Sequence, residues 1–132
     1  MHKKTYHIEK VSFTRVPIRL GDDVFVKGKI SKEKTKQLVK TMKAFWYLMD
    51  VHNIELFRAC ATSAMREASN SPDVIARVLK EANVSIEVLS GQEEANLIFA
   101  NIEGQMFTGF ENLLFIDVGG GSTELTVMKK GK

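Results

Sequence analysis

The order of segments along the chain predicts an α/β protein with a mainly parallel sheet that ends in an antiparallel pair. Two patterns carry that expectation. Runs with strand periodicity alternate with runs of helical periodicity, and near the end two strand-like runs follow one another across the glycine turn GGGST.

Each element has its own reason. Residues 7–20, HIEKVSFTRVPIRL, are rich in β-branched residues, with apolar side chains on alternate positions at Val11 and Phe13 and then at Val16, Ile18 and Leu20. The phase slips by one between the two sets, which predicts two strands or one bulged strand. GDDVFVKGKI, 21–30, reads as a loop. Ser31 then caps a long helix in which Leu38, Met42, Phe45 and Met49 recur at spacings of four and three, with Val39 and Trp46 widening the stripe. ELFRACA, 55–61, reads as a short buried strand carrying Cys60, and TSAMREASNSP as a turn or a single helical turn. Ser71 is the expected cap of the next helix, with Pro72 at its first position, a stripe of Val74, Ile75, Val78, Leu79 and Ala82, and Asn83 as the stop. VSIEVL, 84–89, alternates as a strand, Ser90 and Gly91 turn the chain, and QEEANLIFANIEG carries a helix with Ala95, Ile98 and Ile102 on one face. Residues 105–112 read as a loop, LLFIDV as a continuous apolar strand, and ELTVMK, 124–129, as its returning partner.

Composition bounds the class. A chain of 132 residues fits one domain, and its 44% hydrophobic and 27% charged residues are close to globular averages. The net charge of +3 is mild, and the lysines are spread rather than massed as in a nucleic-acid arm, so no nucleic-acid partner is expected. The lysines at 32, 34, 36, 40 and 43 most simply form a solvated helix face, with guidance of a polyanion as the minority reading. The lone Cys60 allows no intrachain disulfide and favours a reducing compartment. No apolar run approaches the length of a membrane span, and the start has no apolar signal region, so the cytoplasm is the default location. His2, His7 and His52 lack metal-ligand spacing.

The turn in FIDVGGGSTEL, 115–125, concentrates the chemistry. A dinucleotide-binding turn needs G-x-G-x-x-G opening a helix; Gly119 and Gly121 fit, but Glu124 stands in the third place and a strand follows. A P-loop needs a lysine directly after its last glycine, and none comes before Lys129. What remains is a hairpin turn whose bare N–H groups at Gly119, Gly120 and Gly121, with the hydroxyls of Ser122 and Thr123, can converge on an anion. Asp117 is placed to hold a hard cation beside it. A plain hairpin would need only one or two such residues. In LSGQEE, 89–94, acids in a first helical turn ordinarily serve the helix dipole, so Glu93 and Glu94 alone would carry no functional reading. Yet this turn, the glycine turn and Thr62 to Arg66 all follow the carboxyl end of a strand, where ligand crevices of open α/β sheets lie.

The motifs ATSAMREA, SGQEEANLI and IDVGGGSTEL, in this order, resemble the N-terminal domain of the exopolyphosphatase and guanosine pentaphosphate phosphohydrolase family, within the actin, sugar-kinase and heat-shock ATPase superfamily. The resemblance implies a ribonuclease-H-like half with a mixed sheet and flanking helices, and Mg²⁺-dependent hydrolysis of phosphoanhydrides in polyphosphate or guanosine pentaphosphate. It implies Glu94 as the base that activates water, with Glu124 as a second catalytic acid and Asp117 as the metal ligand. It also implies Thr62, Ser63, Arg66 and Gly119 to Thr123 as phosphate contacts. A carboxylate in a crevice can deprotonate water, and Arg66 offers a bidentate fork to phosphate. The sequence departs from the family in lacking a first phosphate loop of the type D-x-G-S-[NA]-S, and it stops just after the second strand of the hairpin. The expectation is one partial domain over 1–132, cut at both ends and without its first strands. Two other readings stay open: a catalytically silent phosphate-binding fragment forming a homodimer through its exposed sheet, and an actin-like nucleotide kinase or ATPase.

Overall fold

The structure, a computed structural model, describes residues 13–102, 111–119 and 123–129. The expected strand over 7–20 falls partly outside these, and its described part, 13–19, forms no regular structure. Pro17 offers no donor for a ladder, and Arg19 takes a left-handed φ of 53°, which no strand accommodates. The expected loop at 21–30 is instead mostly helix, α1 (Gly21–Lys27). Asp22 and Asp23 occupy its positive first turn, Val24 is buried, and Gly28, at φ 68°, ends it in the left-handed conformation that glycine adopts without cost. Seven residues with three of them apolar hold too few turns for the helical period to show.

Helix α2 (Lys32–Val51) starts as its sequence predicts: the Ser31 hydroxyl accepts from the Lys34 amide at 3.2 Å. Asp23 secures the same corner by accepting from the Ser31 amide at 3.1 Å, and hydrogen bonding from the Ser31 side chain, then from its backbone N–H, holds the Asp23 carboxyl below its ordinary pKa. After α2 the chain passes to β1 (Ala59–Ala61), which is shorter than the seven residues expected, and then to α3 (Ser63–Glu67) and α4 (Ser71–Ala82). The cap position of α4 is Asn70 rather than Ser71, and Asn70 caps nothing with its side chain. Its amide instead spans to Ile30, with Oδ1 accepting from the Ile30 N–H and Nδ2 donating to the Ile30 carbonyl, both at 2.9 Å. The start of α4 is thus tied to the entry of α2. Asn83 ends α4 in the left-handed conformation, as expected.

Strand β2 (Ile86–Val88) pairs parallel with β1, Ala59 opposite Ile86 and Ala61 opposite Val88, and leads into α5 (Gly91–Ile102). The hairpin follows as β3 (Asn112–Val118) and β4 (Thr123–Lys129), with Asp117 opposite Glu124 in the register. Thr123 therefore opens a strand rather than sitting in the turn. Among the described residues the strands form two two-stranded sheets, one parallel and one antiparallel.

The core lies between α2, α4 and the β1–β2 pair. Val78 is fully buried, Met65 and Val84 nearly so, and Leu38, Val39, Ile30 and Val74 close around them. Each such side chain contributes about 1.5–3 kcal/mol on burial. Met42 and Trp46 pack against this cluster, in keeping with a structural stripe. Cys60 departs from expectation: it is exposed, on the face of β1 opposite to Ala59 and Ala61, which pack against the core. An open apolar groove of about 1010 Å³ runs between α2 and β1, lined by Met42, Phe45 and Met49 on one side and by Ala59 to Ser63 on the other. One face of the hairpin, Leu114, Ile116 and Val118 with Leu125 and Val127, is also exposed.

Candidate active site

The parallel pair decides where functional groups can gather. Both β1 and β2 run toward the same end, so the residues after Ala61 and after Val88 emerge side by side; the Leu89 amide, donating to the Ala61 carbonyl at 2.9 Å, holds the two exits together. From the first exit come Thr62, Ser63 and, one helical turn on, Arg66. From the second come Ser90 and the first turn of α5.

That turn separates its two glutamates. Glu93 folds back on Ser90, with Oε2 accepting from the Ser90 N–H at 2.8 Å and from its hydroxyl at 2.7 Å, while the Ser90 hydroxyl accepts from the Glu93 N–H at 3.2 Å. This is a capping box, and the backbone hydrogen bond from Ser90, followed by the hydroxyl one, holds the Glu93 carboxyl below its ordinary range. Glu93 is thereby occupied. Glu94 points the other way, its side chain only 16% exposed, and its Oε2 lies 3.6 Å from Nη1 of Arg66.

Arg66 is fixed by more than that ion pair. Its Nη1 donates to the Leu89 carbonyl at 2.6 Å, which ties α3 to the end of β2. The distance to Glu94 is too long for a hydrogen bond, and Glu94 Oε2 is buried with no hydrogen-bond partner among the described residues. A buried carboxylate oxygen without a donor costs free energy, which the Arg66 guanidinium at 3.6 Å offsets in part. Thr62 is half-buried and Ser63 buried, and both line the inner end of the apolar groove. No hydrogen bond from either hydroxyl is found among the described residues.

The structure thus brings together four of the sequence-predicted residues, Thr62, Ser63, Arg66 and Glu94, with the Leu89 carbonyl as an anchor that no side-chain pattern marks. The second group is only partly described. Asp117 is half-buried near the end of β3 and Gly119 follows the strand, whereas Gly120, Gly121 and Ser122 lie outside the described residues. Thr123 opens β4, and position 124 stands opposite 117 in the ladder. No ion pair or hydrogen bond joins Asp117 to Arg66 or Glu94 among the described residues. No group of three acidic, histidine or cysteine side chains able to cage a metal occurs among them either. Oxygen donors from one or two carboxylates nonetheless suit Mg²⁺, which completes its shell with waters and substrate phosphates, and Asp117 fits that pattern.

An arginine and a carboxylate converge at the carboxyl ends of two parallel strands, with the hydroxyls of Thr62 and Ser63 beside them, in an α/β protein. The chain belongs to the Ppx/GppA phosphatase family, whose sequence model matches residues 1–132. It is 35% identical over 120 residues to exopolyphosphatase 1 of Mycobacterium leprae, a match covering 91% of this chain and 35% of that protein. Among solved structures it resembles an exopolyphosphatase from Cytophaga hutchinsonii, with a TM-score of 0.80 and 34% identity over 87% of this chain and 37% of the other. The Aquifex aeolicus family member gives a TM-score of 0.73 and 27% identity, with the same coverage. The chain spans about a third of the length of the curated relatives it matches first. The family is an enzyme family, and the mixed α/β architecture is the one its solved members share over this region. No helix among the described residues is long and apolar enough to cross a membrane.

Proposed function

We propose that this chain contributes to the active site of a phosphoanhydride hydrolase that releases terminal phosphate from polyphosphate, guanosine pentaphosphate or both. The observation that carries the reading is the Glu94 carboxylate: half-enclosed, facing Arg66, and with one oxygen lacking any donor among the described residues. A water held by that oxygen has its proton acceptor already in place.

In the proposed step the water oxygen attacks the terminal phosphorus as Glu94 takes the proton. The bridging P–O bond breaks, and its electron pair leaves on the shortened chain as a new terminal phosphate oxygen. Such a reaction asks chiefly for positioning and for neutralisation of charge on the phosphoryl oxygens. Arg66 commits Nη1 to Leu89 and Glu94, which leaves Nε and Nη2 to fork onto a phosphate. Thr62, Ser63, Ser122 and Thr123 add hydroxyl donors, and Gly119, Gly120 and Gly121 add unhindered amides. Glu124 assists from the position opposite Asp117. Asp117 would hold Mg²⁺, which when bound supplies further charge neutralisation at the phosphate oxygens. The lone cysteine favours a reducing compartment, and the reading places the protein in the cytoplasm.

The test is phosphate release from long-chain polyphosphate and from guanosine pentaphosphate, measured with the protein at its natural length, with Mg²⁺ and after chelation. Release that needs Mg²⁺ and falls at least about tenfold in Arg66→Ala supports the reading. Absence of release from both substrates overturns it.

A further inference from the structure

The lysines on α2 have a geometry that the site does not use. At 100° per residue, Lys36, Lys40 and Lys43 lie within an arc of about 80° from Lys32, and the four span about 17 Å along the axis. All four are exposed. Lys32, Lys36 and Lys40 have no carboxylate partner among the described residues, whereas Lys27 and Lys34 on the neighbouring corner are paired with Asp23 and Asp22. At the far end Lys43 shares a shallow hollow with Lys80 of α4, and Glu81, the acid there, is already engaged by Arg77 at 2.7 Å.

The ridge has a direction relative to the site. Asn70, three residues beyond Glu67 of α3, is bonded to Ile30, so the entry of α2 lies at the end of the fold where Thr62, Ser63 and Arg66 emerge. Helix α4 starts at that same end and packs along α2, so the lysine row leads away from the site over the outer surface.

We propose that Lys32, Lys36, Lys40 and Lys43, with Lys80, form a track for the distal part of a polyphosphate chain. This rests on the hydrolase reading for its ligand but concerns a surface outside the site. A single row of flexible point charges matches a linear, single-stranded polyanion whose phosphates recur without side chains to be read. Double-stranded nucleic acid would call for a broader basic face, and bases of a single strand for stacking platforms along the row, whereas Tyr47 and the half-buried Trp46 stand together at its Lys43 end.

The test is equilibrium binding of end-labelled long-chain polyphosphate, with tripolyphosphate and single-stranded DNA as comparisons, to wild type and to the triple variant Lys36→Gln, Lys40→Gln, Lys43→Gln. These are solvent-facing helix positions where glutamine keeps helix propensity. The track predicts that long-chain affinity falls at least about tenfold and that the slope of log K against log salt shrinks by about 2, near 0.7 for each lysine–phosphate pairing removed. Tripolyphosphate affinity stays within about twofold. Unchanged long-chain binding overturns the track, as does a parallel loss for tripolyphosphate or an equal loss for DNA. Wild type that binds the long chain through the ridge but releases no phosphate contradicts the hydrolase reading alone. Phosphate release with ridge-independent binding contradicts the track alone.

Discussion

Replacing Asn70 with alanine removes both hydrogen bonds that tie the start of α4 to Ile30, and the structure sets the scale of the loss. The two 2.9 Å hydrogen bonds are partly buried, and Ile30 itself is 2% exposed, so its N–H and carbonyl lose their partners where water reaches them poorly. Two net hydrogen bonds at about 1 kcal/mol each, with some added cost for the stranded backbone groups, give about 2–4 kcal/mol. For a domain of this size that lowers the melting midpoint by about 6–16 °C. Urea unfolding followed by circular dichroism measures it, and an unchanged m value would show that the unfolded state is unaltered. Asn70→Asp, which keeps an acceptor and loses the donor, should fall between the two. A loss below about 0.5 kcal/mol for Asn70→Ala would refute the clamp and with it the argument that orders the entry of α2 against α3.

Met65→Ala, emptying a nearly enclosed site on the helix that carries Arg66, should cost about 2–5 kcal/mol in the same assay. Asp23, whose folded-state pKa is lowered chiefly by the Ser31 hydrogen bonds, contributes stability above its ordinary value of 3.8 that disappears as pH falls through the lower folded value. Asp23→Asn should therefore flatten the acid limb of the stability profile and leave its slope above about pH 5 unaltered. Cys60, exposed on β1, should react with a thiol reagent in the native protein at nearly the rate found after unfolding; strong native protection would contradict its placement.

The helices were the most legible part of the chain. The stripe from Leu38 to Met49 and the Pro72 and Asn83 boundaries of α4 survive almost unchanged, because helical period and end signals are local. Strand length was not legible: ELFRACA pairs over only three residues, since ladder length depends on what lies opposite. The alternation at 13–19 produces no strand because Pro17 lacks a ladder donor and Arg19 is left-handed. Helix α1 was hidden by its brevity, and Cys60 by the assumption that an apolar run is covered on both faces. At the site, LSGQEE shows two adjacent acids, but only the fold distinguishes them: Ser90 takes Glu93 into a capping box, and Glu94 is left for Arg66. The Leu89 carbonyl that anchors Arg66 is a backbone atom, and no residue-type pattern signals it.

The central claim is that the donorless carboxylate oxygen of Glu94 serves as the acceptor for the proton of the attacking water. The most direct measurement is the rate of phosphate release by Glu94→Gln against wild type at saturating substrate, with binding of long-chain polyphosphate followed in parallel. Glutamine preserves shape and burial but cannot take the proton, so the account predicts a fall of about 10²–10⁴-fold in turnover with binding within a few-fold of wild type. Turnover within about twofold of wild type would contradict it.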